Sequence, residues 1–278
     1  MNIKNILVPV DFSPCSKNAL KIAIGLAKSN NAKLHLVNAI YVPTPHVDVT
    51  GGFPLVEPIL EDYEKRVDKE FEELKKEFVQ LKEVEYDTKK YISMVSDAIY
   101  TCIENQNIDL IVMGTKGSHS TLEKLVGGVS ADVIRYATVP VLLIPENISS
   151  LDFKKIGYAA DFEEMGDLGK LETLIYFAKL AKAEIQVFYV AKDVGTVSFD
   201  KSRQSLKISN YLKDVKHSFH TIEDHKVVHG IFEFINEHKL DMLTLYPRKH
   251  GLLDRLLKGS VTKKIAMDIQ IPILSIHE

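Results

Sequence analysis

The residues with the clearest potential for chemistry lie in the stretch GTKGSHSTLEKLVGGVS, residues 114–130. Gly114 and Gly117 bracket a short turn after the apolar run DLIVM. Glycine lacks Cβ and permits positive φ, so backbone amides there can face an anion at close range. After nine intervening residues, the sequence GGVS at 127–130 opens a predicted helix, whose free N–H groups and dipole favour phosphate. Phosphate binding and a plain glycine-rich entry to a helix both fit this pattern.

A second candidate is Asp11, which directly follows the predicted first strand, ILVPV. Ligands of parallel α/β sheets bind beyond the carboxyl ends of the strands, so we expect Asp11 and Gly114 at one edge. Ser13 and Pro14 are suited to be the N-cap and first residue of a helix, which leaves a local turn or capping role for Asp11 equally open. The chain contains neither GxxxxGK[ST] nor GxGxxG, so it has no P-loop or dinucleotide motif.

The elements that must position these residues occur twice in the chain. Five runs of the first half have ordered counterparts in the second: ILVPVDF and IGYAADF, KLHLVNA and EIQVFYV, DLIVMG and LDMLTLY, VGGVSADVI and KGSVTKKIA, VPVLLIPE and IPILSIHE. We interpret this as a tandem duplication joined near residues 145–152, with domains at 1–147 and 152–278. Short apolar strands alternating with helical segments predict parallel α/β sheets covered by helices on both faces.

The longest predicted helix spans about residues 58–82. Its apolar positions recur at steps of three and four, and they are Leu60, Tyr63, Val67, Phe71, Leu74, Phe78 and Leu81. This stripe favours core packing over a partner-binding surface. A shorter counterpart is expected near residues 201–214, and residues 43–57 are expected to form a loop.

Residues 114–130 resemble the nucleotide-binding motif of the universal stress protein family, which is G-x-x-G, nine residues, then G-[S/T]-V. The one departure is Gly128, where the family has Ser or Thr. The opening ILVPVDFS and the closing VPVLLIPE are also similar to that family. The resemblance implies α/β architecture with two tandem Rossmann-like (adenine nucleotide alpha hydrolase-like) domains. Each would have a five-stranded parallel sheet, and the first would bind ATP, with or without Mg²⁺.

Carried over by position, the resemblance implies a role for each residue of the site. Pro9, Val10 and Asp11 would line the adenosine, with Asp11 near the ribose, and Asn38 would lie by the adenine. The ribose and phosphates would be held by Met113, Gly114, Lys116, Gly117, Gly127, Gly128, Val129 and Ser130. Because Gly128 lacks a hydroxyl but keeps its N–H, we expect weaker phosphate contact there.

The second half departs from the motif. Gly259-Ser260-Val261-Thr262 fits the helix entry, but Tyr246 replaces Gly114 and Lys249 replaces Gly117. Asp161 remains, whereas Ala159 and Ala160 replace Pro9 and Val10. We therefore expect a degenerate second site, in which Arg248 and Lys249 either attract a small anion or form a solvated basic turn.

Other reactive residue types give weaker signals. His217, His220, His225 and His229 crowd one region, where surface histidines are favoured over a metal site. Cys15 lies in the first turn of its predicted helix, a place where a thiol can be activated, but it lacks a partner for redox chemistry. Cys102 is predicted to pack inside a helix. No nucleophile and base can be paired, so no catalytic residue is assigned.

Bulk composition narrows the function classes. The 278 residues are 45% hydrophobic and 26% charged with a net charge of −3, which gives no reason to expect nucleic-acid or membrane binding. Two cysteines without CxxC fit a reducing cytoplasm. We expect an ATP-binding stress-response protein whose two domains pair through their final strands, with further homodimerisation possible. The alternatives are a slow ATPase or nucleotidyl-transfer enzyme and a scaffold that binds no nucleotide.

Overall fold

The computed structural model describes residues 2–40, 56–115, 128–160, 167–191, 199–246 and 270–277. The strands are β1 Asn5–Pro9, β2 Lys33–Ala39, β3 Tyr86–Tyr91, β4 Leu110–Gly114, β5 Val141–Ile144, β6 Lys155–Ala159, β7 Glu184–Ala191, β8 His217–Glu223, β9 Met242–Leu245 and β10 Ile273–Ser275. The α-helices are α1 Pro14–Asn30, α2 Val56–Glu77, α3 Val95–Gln106, α4 Gly128–Tyr136, α5 Glu172–Ala181, α6 Phe199–Tyr211 and α7 Val227–His238. Short 3₁₀ helices span Val79–Glu83 and Leu168–Leu171.

The strands form one ten-stranded sheet in the order β3-β2-β1-β4-β5-β10-β9-β6-β7-β8. Neighbours within each half are parallel, and the halves meet where β5 and β10 pair antiparallel. Leu142 pairs with Leu274 at the centre of that junction. The predicted α/β class, the five parallel strands per half and the pairing of the final strands are confirmed.

Strand register fixes the equivalence of the two halves. Pro9 is level with Val37, and Ala159 is level with Phe188, so Pro9 and Ala159 occupy the same place. The pairings of β1 with β4 and of β6 with β9 likewise place Tyr246 where the first half has Gly114. The correspondence inferred from the aligned runs is therefore reproduced in three dimensions.

Helices cover both faces of the sheet, as the apolar strands predict. One face carries α1, α2, α5 and α6, and the other carries α3, α4 and α7. Each core contains residues from both halves, for example Ile6 with Ile156 on one face and Leu7 with Leu243 on the other. The sheet and its two helix layers therefore unite the halves.

The apolar stripe of α2 faces the core, as expected. Val67, Phe71 and Leu74 are buried, and Leu81 is buried in the following 3₁₀ helix. The predicted loop over 43–57 lies mostly outside the described residues, but its last two residues are already helical, because α2 begins at Val56. The counterpart predicted near 201–214 is α6.

Candidate functional site

The carboxyl edge of the first-half sheet brings together the ends of β1, β2 and β4. Val10 N donates to Val37 O at 2.8 Å, which continues the β1–β2 pairing one residue beyond the strand. Asn38 is buried, and its Nδ2 donates to Val10 O at 2.8 Å. This bond fixes the orientation of the Asn38 amide and holds the backbone immediately before Asp11.

Asp11 forms a tight turn into α1. Its Oδ1 accepts from Ser13 N at 3.1 Å and from Ser13 Oγ at 2.6 Å. Ser13 in turn caps α1 by accepting from Ser16 N, and Pro14 is the first helical residue, so the predicted N-cap and first-residue pair is confirmed. Phe12, between them, has a φ of 62°. Asp11 therefore has the local turn role that its sequence context predicts, and it lies at the same edge of the sheet as the end of β4.

Gly114 is required by packing. A Cβ at this position would lie 2.8 Å from Cys15 Sγ and 3.0 Å from the Cys15 carbonyl carbon, far inside normal contact distance. The thiol of Cys15 is buried, donates to Ile144 O at 3.6 Å and lies 3.8 Å from Thr115 Oγ1. Cys15 therefore wedges the first turn of α1 against the end of β4, a contact that the sequence interpretation missed.

The entry to α4 is tied to the same strand end. Ser130 is buried, and its Oγ donates to Gly114 O at 3.0 Å. Gly128 is the first residue of α4, and a Cβ added there would meet no atom of the described residues within 4 Å. Val129 is 38% exposed. The expected neighbours Lys116, Gly117 and Gly127 lie outside the described residues.

The electrostatics of this edge suit an anion. The first turn of α4 contains no acidic residue, so no carboxylate in that turn opposes an anion at the positive end of the helix dipole. Its free backbone N–H groups begin beside the end of β4 because the Ser130–Gly114 bond holds them there. Met113 is buried in the core, and Pro9 is the last residue of β1, so both belong to the sheet that supports this edge.

The second-half edge is built differently. Ala159 and Ala160 are buried, and Tyr246, at the position of Gly114, packs against the core with its ring partly buried. Asp161, Arg248, Lys249 and residues 259–262 lie outside the described residues. The described part of this edge therefore has a large side chain at the position where the first half has a glycine.

A buried histidine also belongs to the second-half edge. Burial lowers the pKa of His277 from its ordinary value of 6.5 to about 4. Its Nε2 lies 3.1 Å from Ser275 Oγ, which also donates to Ile134 O. The first half has Pro145 at the equivalent register position.

The crowded histidines of the second half are dispersed by the fold. His217 and His220 lie in β8, a strand as expected, and they bond to Ser209 and Ser218 respectively. His229 pairs with Asp224 at 2.5 Å, which lowers the pKa of that carboxyl. Across the described ranges, no group of three His, Cys, Asp or Glu side chains is placed to hold a metal ion. Both cysteines are buried free thiols, and Cys102 packs inside α3 as predicted.

Comparisons with known proteins agree with this architecture. The Universal stress protein family model matches residues 2–145. Universal stress protein A homolog 1 of Coxiella burnetii is 32% identical over 145 residues, covering 52% of this chain and 97% of that protein. The crystal structure of a universal stress protein from Archaeoglobus fulgidus DSM 4304 covers 99% of this chain and 96% of that chain, with 17% identity and a TM-score of 0.68. None of the helices in the described residues combines the length and apolarity that crossing a bilayer requires.

Proposed function

Because the chain belongs to the universal stress protein family, we propose that it binds one adenine nucleotide, ATP with Mg²⁺, at the carboxyl edge of its first half. The observation that supports this most directly is the bond from Ser130 Oγ to Gly114 O. It places the amino end of α4, whose first turn has no acidic residue, beside the end of β4. That arrangement stabilises a phosphate group.

In this proposal, different described residues contact the phosphates, the ribose and the base. The N–H groups at Gly128 and Val129 face the phosphates, and Ser130 positions them by holding the helix to the strand. Asp11 lies at the turn after β1, where a carboxylate accepts from ribose hydroxyls. Asn38 uses its N–H₂ group on Val10 O, so its amide oxygen is the group left to accept from the amino group of a base.

We propose a regulatory consequence of binding. A nucleotide that bridges the turn after β1 and the entry to α4 links two segments that are connected through Cys15, Gly114 and Ser130. Ordering this edge changes a surface that a protein partner of the stress response can recognise. The second half, with Tyr246 at the matching position, acts as a structural partner in this proposal and binds no nucleotide.

A scaffold without nucleotide is the main rival, and one observation favours it. Cys15 accounts for the glycine at 114, and Gly114 O accounts for the Ser130 hydroxyl, so both have structural roles without a ligand. Nucleotide binding must therefore be tested with a change that leaves this packing intact. Gly114→Asp does not meet that condition, because it would overpack Cys15.

Gly128→Asp separates folding from binding. The new side chain meets no atom of the described residues, and a carboxylate in the first turn of a helix is favourable, so the fold should be retained. The same charge repels phosphates, and we expect nucleotide affinity to fall by about tenfold or more. Gly128→Asn is the neutral control of the same shape and should retain binding. Gly128→Ser, which restores the hydroxyl common in the family, should tighten binding by a few-fold, roughly 1 kcal/mol.

The measurement is native mass spectrometry of the full chain with MgATP, with hydrogen exchange on the same samples. One ATP per chain, lost in Gly128→Asp and kept in Gly128→Asn, supports the proposal. Two per chain contradicts the inactive second half, and no binding in the unmodified chain favours the scaffold. Phosphate release that disappears in Gly128→Asp would instead establish a slow ATPase.

A further inference from the structure

The two outer strands of the sheet, β3 and β8, differ in how they are protected. An outer strand exposes unpaired backbone groups, and charged side chains, lysine above all, discourage another strand from pairing there. The outer strand β3 contains Lys89 and Lys90, and Lys90 forms an ion pair with Asp68 of α2 at 2.8 Å. The outer strand β8 has the sequence HSFHTIE, with neither lysine nor proline. Among the described residues, no strand pairs with its outer side.

The hydrogen bonds to β7 show which residues of β8 face outward. Ile185 N donates to Lys216 O at one end, and Asp224 N donates to Ala191 O at the other. In a parallel pair the residues that bond to the neighbour alternate along the strand, so the even-numbered residues of β8 bond to β7. The outward backbone groups therefore belong to the odd-numbered residues, which are His217, Phe219, Thr221 and Glu223.

We propose that β8 pairs antiparallel with β8 of a second copy of this chain, which makes one continuous sheet across a symmetric dimer. With the two-fold axis at His220, Phe219 lies opposite Thr221 of the second copy, and His217 lies opposite Glu223 of the second copy. All four are odd-numbered, so each opposing pair has its backbone groups aimed at the other strand. A one-residue shift would place an outward residue opposite an inward one and lose this match.

Charge order along the strand identifies a second copy as the partner. The segment KHSFHTIED, residues 216–224, is basic at its start and acidic at its end, so it complements itself when reversed. His217 and Glu223 lie on the same face of the sheet, where opposing side chains interact across an antiparallel pair. Lys216 and Asp224 extend this order, although each already has a partner in its own chain, Glu184 and His229.

The apolar contribution comes from Phe219. It is 37% exposed on this outer strand, and its ring meets the ring of His217 edge-on at 5.7 Å. Pairing with a second copy brings it against Thr221 and covers it. An aromatic residue opposite a β-branched residue is among the favourable cross-strand combinations.

Sedimentation velocity of the full chain over a concentration series tests the proposal, with Phe219→Lys as the disrupting variant. Lysine at this position places a charge at the centre of the pairing, and we expect the dimer dissociation constant to rise on the order of tenfold or more. Thr88→Lys is the matched control, because Thr88 lies on the other outer strand, β3. It should leave the dissociation constant unchanged.

A charge exchange gives an independent test. Glu223→Lys alone should dissociate the dimer, because it replaces the carboxylate opposite His217 of the second copy with a second basic side chain. Mixed with a His217→Glu chain, it should form a heterodimer, since the introduced lysine and the introduced glutamate then lie opposite each other. A wild-type chain that stays monomeric at its highest soluble concentration overturns the proposal. So does a dimer that tolerates both Phe219→Lys and Glu223→Lys.

Discussion

The two halves of the molecule are more alike at the amino ends of their strands than at the carboxyl ends. At the amino ends of the strands, Asp109 Oδ2 accepts from Lys4 N and Asn5 N at 2.7 and 2.9 Å. In the second half, Asp241 Oδ2 accepts from the amides of residues 154 and 155 at the same two distances. At the carboxyl ends the halves differ, because the second half has Tyr246 at the position that Gly114 occupies in the first half.

The difference separates what the fold needs from what a ligand needs. The first half must hold the start of β1 beside the start of β4, and the second half must hold the start of β6 beside the start of β9. In both halves, one carboxylate that accepts hydrogen bonds from two backbone amides does this. No such requirement fixes the carboxyl ends, where ligands bind in sheets of this class. One half has a glycine there, packed against Cys15, and the other has a tyrosine.

The largest expected effect is a pH dependence confined to the second half and due to His277. Its pKa is lowered from 6.5 to about 4 by burial, so the unfolded chain binds the proton more readily than the folded chain. The stability that neutral His277 allows is complete above pH 6.5 and is lost as the pH falls towards 4. The loss should reach about 3 kcal/mol.

Urea unfolding at a series of pH values measures this effect, with His277→Gln as the comparison. Glutamine keeps a polar contact for Ser275 but does not titrate between pH 4 and 6.5. The difference in unfolding free energy between the two proteins should therefore change across that window. Parallel pH profiles would show that folding leaves the pKa of His277 unchanged or that the end of the chain opens without cost.

The next effect concerns the packing of the first-half carboxyl edge. Gly114→Ala places a methyl group 2.8 Å from Cys15 Sγ and should destabilise the protein by about 2 kcal/mol. Cys15→Ala in the same chain removes the sulfur and should restore part of that loss, measured as a double-mutant cycle. Gly128→Ala, at the start of α4 and clear of the described residues, is the control and should be neutral or slightly stabilising. If Gly114→Ala destabilised the protein equally with and without the Cys15 side chain, the proposed packing of Cys15 Sγ against Gly114 would be contradicted.

Much of this architecture follows from the sequence for physical reasons. Repeated apolar runs predict repeated strands, and the period of the stripe from Val67 to Leu81 predicts the buried face of α2. The pairing of the final strands is implied by the family resemblance, and the apolar runs at both places are suitable edges for it. Asp11, Ser13 and Pro14 predict the start of α1 because capping is a local interaction.

Contacts between distant segments could not be predicted in this way. The sequence assigned Gly114 to a ligand and Cys15 to a helix turn, but nothing in one sequence reports that they touch across one hundred residues. The same holds for the Ser130 bond to Gly114 O and for the burial of His277 beside Ser275. Each depends on how a helix settles on the sheet, which local pattern does not specify. The assignment of ligand contacts to Lys116, Gly117 and Gly127 stays a prediction.

The smallest effect tests the equivalence of the amino ends directly. Asp109→Ala and Asp241→Ala each leave two amides without their acceptor at partly exposed positions, where water compensates in part. We expect each to cost about 1 kcal/mol, with equal values in the two halves. Asp109→Asn and Asp241→Asn, which keep one acceptor oxygen, should cost less. Urea unfolding of all four variants measures the comparison. A large cost in one half alone would mean that the shared geometry supports unequal stability, and that the two halves differ at their amino ends as well.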